Sequence, residues 1–357
     1  MRPVLWKVPV LVGSALAAQA PMAEDPLSLP EEAIAFARRI TGSQNGTKPK
    51  LQAFLSAVFR PVEEGGLGMV YDNTRTRTAA EVWKERKANC LSLTAFYVAS
   101  CQGIHIDAQY AEALNTNRWR REGSLIRMER HLVALVQLPP LEDVVADFLP
   151  QLRRRVGLYR VSILSRRQVT ALFFSNRAVE ELDRSNPDQA MVMAQRALAT
   201  DNTLSVGWNI LGVVQRHMGE DVKAEESFRK ALACDGRDSF AIGNMEGLMR
   251  AQGRLEDAQR FRELGQEVRK KDPYFNAFLA EEALERGESE ESVRLVNRAI
   301  KLFQYEPEFH LLRARAHITL GRVKEALRDL EAAHRWASPA EQARYAGKLN
   351  ALRNTQE

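Results

Sequence analysis

Three side chains of this 357-residue chain are of types that perform covalent catalysis together: Cys90, His131 and Asp147. A thiol attacks acyl groups as its thiolate, an imidazole moves the proton, and a carboxylate holds the imidazole in the useful orientation. The pattern around Cys90 supplies the first requirement. Asn89 is a good N-cap, and the run that follows carries Leu91, Leu93, Phe96, Tyr97 and Val98 before Gly103. Cys90 then sits in the first turn of a helix, where unpaired backbone N–H groups and the positive end of the dipole favour a thiolate. Its own N–H is a candidate oxyanion donor, with Asn73 and Asn89 as candidates for a second.

The other two side chains fall on a hairpin pattern. His131 to Leu138 reads as a strand, Pro139-Pro140 as the break, and Glu142 to Phe148 as the antiparallel neighbour. His131 begins the first strand and Asp147 lies near the end of the second, so the pairing brings them side by side. Ile106 to Leu114 is a further strand. Upstream, Thr78-Ala79-Ala80-Glu81 has the form of a capping box and opens a helix to about Lys87.

Other reactive types in this half have simpler readings. Cys101 would lie about 16 Å from Cys90 along the same helix, too far for a disulfide. It and Cys234 read as packing residues, and Cys90 itself could also pack. His105 reads as a loop histidine. Arginines cluster at Arg118, Arg120, Arg121, Arg127 and Arg130, in the connection leading to His131, and again at Arg153, Arg154, Arg155, Arg160, Arg166 and Arg167. They form either a solvated face or an attractor for acidic groups.

A cysteine opening a helix, a histidine about forty residues on at a strand start and an aspartate about sixteen later resembles the transglutaminase-like core. That core belongs to the papain-like cysteine enzymes. The stretch Tyr71-Asp72, Thr76, Thr78-Ala79, Glu81, Arg86 and Asn89-Cys90-Leu91-Ser92 resembles bacterial members followed by tetratricopeptide repeats, as does Asn176-Arg177-Ala178-Val179-Glu180. The resemblance implies Cys90 as nucleophile, His131 as general base and acid, and Asp147 as the orienting carboxylate. It implies an α+β papain-like, transglutaminase-like domain over 21–168. The chain departs from the family at Ala88, Leu91, Leu132 and Asp147-Phe148, positions that bear on substrate class and turnover.

The second half carries a fixed step. Gly219, Gly253, Gly287 and Gly321 recur every 34 residues, and so do Ala190, Ala224, Ala258, Ser292 and Ala326. A third ladder runs Ala197, Ala231, Gly265, Ala299 and Ala333. A 34-residue period with small residues at these offsets matches the tetratricopeptide repeat, an all-α superhelix of helix pairs. About five units fit over 171–340, the first and third degenerate, with a helix or tail over 341–357. The family's usual role implies a groove that binds a protein or peptide; a structural arm is the alternative.

Composition narrows the field further. No apolar run reaches the ~18–20 residues of a membrane-spanning helix. Arg2, Lys7 and the apolar stretch Val8 to Ala18 read as an export signal over 1–20, hence periplasmic or secreted placement, with cytoplasmic as the alternative. Between 21 and 170 there are 21 Lys and Arg against 16 Asp and Glu, while beyond 170 there are 28 against 30. So small a basic excess, without interleaved aromatics, argues against nucleic acid as a partner. No metal constellation or nucleotide loop is present, so no cofactor is expected. The resulting expectation is an exported cysteine-dependent amide hydrolase or transamidase with a partner-binding array. The alternative is an inactive transglutaminase-like fold serving as an interaction scaffold.

Overall fold

The computed structural model describes residues 25–114, 118–122, 125–138, 142–148, 160–337 and 339–354. The expected export signal, Pro139-Pro140 and Arg153 to Arg155 lie outside the described residues. The N-terminal part opens with α1 (Glu31–Thr41) and α2 (Thr47–Phe59). Acidic residues in the first turn of α1 and Arg38 and Arg39 in its last complement the helix dipole. The Thr78 side chain and Glu81 form the expected capping box on α3 (Ala79–Glu85). That helix stops two residues earlier than its pattern suggests. Arg86 turns left-handed (φ 57°), and the chain then leaves as β2 (Lys87–Ala88), parallel to β1 (Val70–Tyr71).

Helix α4 (Cys90–Gly103) is buried on almost every side, which suits a sequence of apolar and small polar residues without a charge. Phe54 of α2 stacks on its Tyr97 at 5.1 Å between ring centroids. The Tyr97 hydroxyl donates to the Leu51 carbonyl at 2.9 Å. Gly103 does not act as the left-handed stop. It is the last helical residue, and His105 takes the positive φ (62°) instead. What Gly103 provides is room: a Cβ there would stand 2.9 Å from Ile34 of α1.

Against this helix lies a four-stranded antiparallel sheet made from β3 (Gln109–Ala113), β6 (Leu132–Leu138), β7 (Glu142–Ala146) and β8 (Val161–Leu164), in the order β7-β6-β3-β8. The strand expected from Ile106 begins three residues later, because the Ile104 and Ile106 amides fold back onto the Cys101 carbonyl. Two elements differ from a reading of the chain as loops. β8 pairs with β3, and the arginine-rich connection before His131 is itself a hairpin, β4 (Arg118–Glu122) with β5 (Leu125–Glu129).

The second half is a stack of 34-residue helix pairs of the tetratricopeptide type. The pairs are α5 (Arg166–Asp183) with α6 (Pro187–Thr200), α7 (Ser205–His217) with α8 (Asp221–Cys234), and α9 (Ser239–Ala251) with α10 (Leu255–Lys270). They continue with α11 (Pro273–Glu285) and α12 (Ser289–Leu302), then α13 (Pro307–Thr319) and α14 (Val323–Trp336). A final helix, α15 (Pro339–Asn354), buries Tyr345 and Leu349 against the last pair.

Each ladder residue has a physical job. The four periodic glycines all have positive φ, between 72° and 81°, where a Cβ is penalised. One step earlier, in the degenerate first unit, Ser185 takes the same conformation (φ 62°). The alanines of the other ladders are buried where helices meet. At Gly212 the approach is closest, since a Cβ would lie 2.5 Å from the Phe228 ring.

Candidate functional site

Local chemistry fixes the thiol. The Asn89 side-chain oxygen accepts from the Ser92 amide at 2.9 Å and caps α4, so Cys90 is the first residue of the helix and is half-buried. The loop before it is tied down from both ends. The Asp72 amide donates to the Ala88 carbonyl and extends the β1–β2 contact, while the Arg77 amide donates to the Ser92 hydroxyl at 2.8 Å. Arg77 itself is buried and bridges Asp72 and Glu85 at 2.8 and 2.7 Å. Hydrogen bonds from Thr74, with Arg77 adding to them, hold the Asp72 carboxyl below the usual range.

The hairpin positions the other two groups. The register of β6 and β7 sets Ala134 opposite Ala146, which places Asp147 beside Val133 and diagonal to His131. The His131 carbonyl accepts from the Ala113 amide, so the residue is anchored to β3 although it precedes β6. Asp147 is fixed by its neighbour Phe148, which is 1% exposed and packs edge-on against Tyr97 of α4, 5.4 Å between centroids. The helix that presents the thiol therefore also locates the carboxylate.

The three groups converge. His131 Nε2 lies 2.9 Å from Asp147 Oδ1, and both residues are almost fully buried, 3% and 2% exposed. Cys90 is close enough to the same imidazole for its side chain to favour the protonated ring. Because Nε2 is taken by Asp147, Nδ1 is the ring nitrogen left for sulfur. Burial by itself would push the imidazole pKa down. The Asp147 hydrogen bond and the nearby Cys90 side chain, with the charges of both, outweigh it and bring the pKa to about 9.

The remaining candidates separate. Asn89 is buried, with one amide hydrogen donated to the Thr76 hydroxyl at 2.9 Å and its oxygen engaged as the cap. Asn73 is exposed on the loop after β1. Cys101 is fully buried beside Tyr97, and desolvation raises its pKa to about 12, which keeps it a neutral packing thiol. Cys234, expected to pack, is exposed at the end of α8. His105 sits exposed in a turn. Three of the clustered arginines are occupied structurally. Arg130 forms a bidentate pair with Glu112, Arg166 pairs with Asp25, and Arg167 donates to the Thr200 carbonyl.

Sequence reasoning passed over one group that matters to the site. Thr76 receives Asn89 on its hydroxyl, and its backbone is bonded by Glu180 and Arg177 of α5. These residues lie in the two stretches that carry the family resemblance, which is the signal that could have linked them.

Comparison with known proteins gives partial matches. No family model matches the sequence. The type IV pilus assembly protein PilF of Pseudomonas aeruginosa is 37% identical over 88 residues, which is 24% of this chain. The match covers only 35% of that relative's length. Among solved structures, a Pseudomonas aeruginosa PilF structure is 21% identical over 52% of this chain and 90% of its own, with a TM-score of 0.29. YrrB, a tetratricopeptide protein with an unusual peptide-binding site, is 15% identical over 50% and 92%, with a TM-score of 0.27. The second tetratricopeptide domain of Spaghetti (RPAP3), bound to an HSP90 peptide, is 17% identical over 28% and 91%, at 0.26. At such scores the solved structures add no weight; the repeat type rests on the helix pairs and their 34-residue step. Among the described residues no helix is long and apolar enough to cross a membrane.

Proposed function

We propose that this chain is a cysteine-dependent acyl-transfer enzyme of the transglutaminase-like kind, with an array that presents a protein or peptide. The observation that carries this reading is the buried His131 imidazole, hydrogen-bonded to Asp147 at 2.9 Å and close enough to Cys90 for that side chain to favour its protonated form. In the first step the Cys90 thiolate attacks an amide carbonyl carbon. The tetrahedral intermediate collapses to a thioester as the His131 imidazolium gives its proton to the departing amine. The neutral imidazole then takes a proton from water or a second amine as that nucleophile attacks the thioester, and the Cys90 thiolate departs, restoring the starting thiolate and imidazolium. Water gives hydrolysis and an amine gives transamidation. The Cys90 backbone N–H, unbonded within the helix by its first-turn position, is the proposed oxyanion donor.

The division into a catalytic domain over 21–168 and repeats over 171–340 follows from the same reading, as does periplasmic or secreted placement. A pilus assembly protein as the partial relative fits a role in assembly at the cell envelope, with the repeat groove taking a protein partner. The test is acyl trapping with p-nitrophenyl acetate, followed by peptide mass spectrometry. A burst of p-nitrophenol with acetyl on Cys90, lost in Cys90→Ala, is the expected result. Absence of the burst, or acetyl on Cys234 alone, would favour the scaffold reading.

A further inference from the structure

The first helix of the repeat array reaches back to the loop that precedes the nucleophile. Glu180 Oε1 accepts from the Thr76 amide at 2.5 Å, and Arg177 Nη1 donates to the Thr76 carbonyl at 3.3 Å. Both backbone groups of a buried residue are therefore answered from a helix about a hundred residues further on. The Thr76 hydroxyl, thus placed, accepts from Asn89 Nδ2 at 2.9 Å. That bond sets which way the amide faces: with the nitrogen held by Thr76, the oxygen is directed to the Ser92 amide. Next in sequence, the Arg77 amide bonds the Ser92 hydroxyl, so two consecutive loop residues grip the first turn of α4.

We propose that Glu180 and Arg177 are positioning residues for Cys90, acting through Thr76 and the Asn89 cap. The proposal rests on the acyl-transfer reading above. The helix start favours a thiolate only while its first N–H groups stay aimed at the sulfur, and the cap keeps that turn from fraying. Removing Glu180 leaves the buried Thr76 amide without its acceptor, and the loop relaxes to satisfy it. The cap then loses its orientation. A contact that merely glued α5 to the loop would cost stability when removed and leave the sulfur's chemistry unchanged.

The experiment is the pH–rate profile of Cys90 alkylation by iodoacetamide in the full chain, read by peptide mass spectrometry. It compares the unaltered protein with Glu180→Ala, Glu180→Gln and Thr76→Val. Glu180→Ala should move the midpoint of the profile up by about half to one pH unit, so that below the midpoint the rate falls about three- to ten-fold. Glu180→Gln keeps an acceptor for the Thr76 amide and should restore the original profile. Thr76→Val leaves the Glu180 bond intact and deletes the hydroxyl, and it should shift the midpoint in the same direction. Thr76→Val alone decides the matter if Glu180→Ala fails to fold. Superimposable profiles for the foldable variants and the unaltered protein, with only the melting temperature lowered, would overturn the proposal. Cys90 reacting no faster than exposed Cys234 in the unaltered protein would instead overturn the acyl-transfer reading, and this proposal with it.

Discussion

Asp147 Oδ1 stands 2.9 Å from His131 Nε2, sixteen residues away in the chain, with neither side chain reaching solvent to any useful extent. A hairpin brings the two together, and a helix packed on that hairpin delivers the thiol. The Asp147→Asn substitution isolates the carboxylate's role. Asparagine is nearly isosteric, and its oxygen can still accept from Nε2. The variant should therefore fold and melt within a few degrees of the parent, while acyl transfer drops by about two orders of magnitude or more. Circular dichroism and the acetylation burst check this together; an unfolded variant would make Asp147 a structural residue.

The pH dependence of stability has a definite sign. His131 has a folded-state pKa of about 9, above its ordinary value near 6.5. Its contribution is therefore fully present below about pH 6.5 and fades as pH rises through about 9. Urea unfolding between pH 6 and pH 9.5 should show a loss on the order of 1–3 kcal/mol that His131→Gln lacks. The same group sets the alkaline limb of activity, which should fall with an apparent pKa near 9 as the imidazolium is lost.

The Phe148 ring couples the carboxylate to α4 through Tyr97. Truncation by Phe148→Ala removes a fully buried ring from the largest core cluster. The expected cost is about 3–5 kcal/mol of unfolding free energy. Activity per folded molecule should fall as well, because Asp147 loses its anchor. Chemical denaturation gives the first quantity and active-site titration with an acylating reagent the second.

The array offers a gain as well as a loss. Ser185 occupies the left-handed position that glycine fills in the next four units. Ser185→Gly should raise stability by about 0.5–1 kcal/mol, the relief of a strained Cβ less the added entropy of the unfolded chain. Gly212→Ala should do the opposite, by about 1–3 kcal/mol, since its Cβ would collide with the Phe228 ring. Thermal melts of the two variants, run side by side, check both signs.

Much of this was legible in the sequence wherever the causes are local. The Thr78 capping box, the Asn89 cap and the left-handed glycines depend on a few neighbouring residues, and each appears as its pattern implies. The His131–Asp147 pairing was legible because two β-rich runs follow one another with a proline pair between them. What stayed hidden depends on distant partners. Gly103 reads as a helix stop, yet its role is the close approach of Ile34, which no local pattern records. The bond from Thr76 to Glu180 spans 104 residues. Cys234 sits in a helical period that suggests packing, yet it is exposed at the end of α8, its thiol donating to the Asn202 carbonyl at 3.8 Å. The arginines before His131 hid a hairpin because a run this rich in charge reads as a connection between strands.

The central claim is that the sulfur of Cys90 is activated by His131, and alkylation kinetics reach it most directly. Iodoacetamide at pH 6, with the three cysteine peptides quantified separately, should modify Cys90 at least ten times faster than exposed Cys234 and leave buried Cys101 untouched. His131→Ala should bring the Cys90 rate down to that of Cys234. Equal rates for Cys90 and Cys234 in the unaltered protein, or a Cys90 rate indifferent to His131→Ala, would contradict the account.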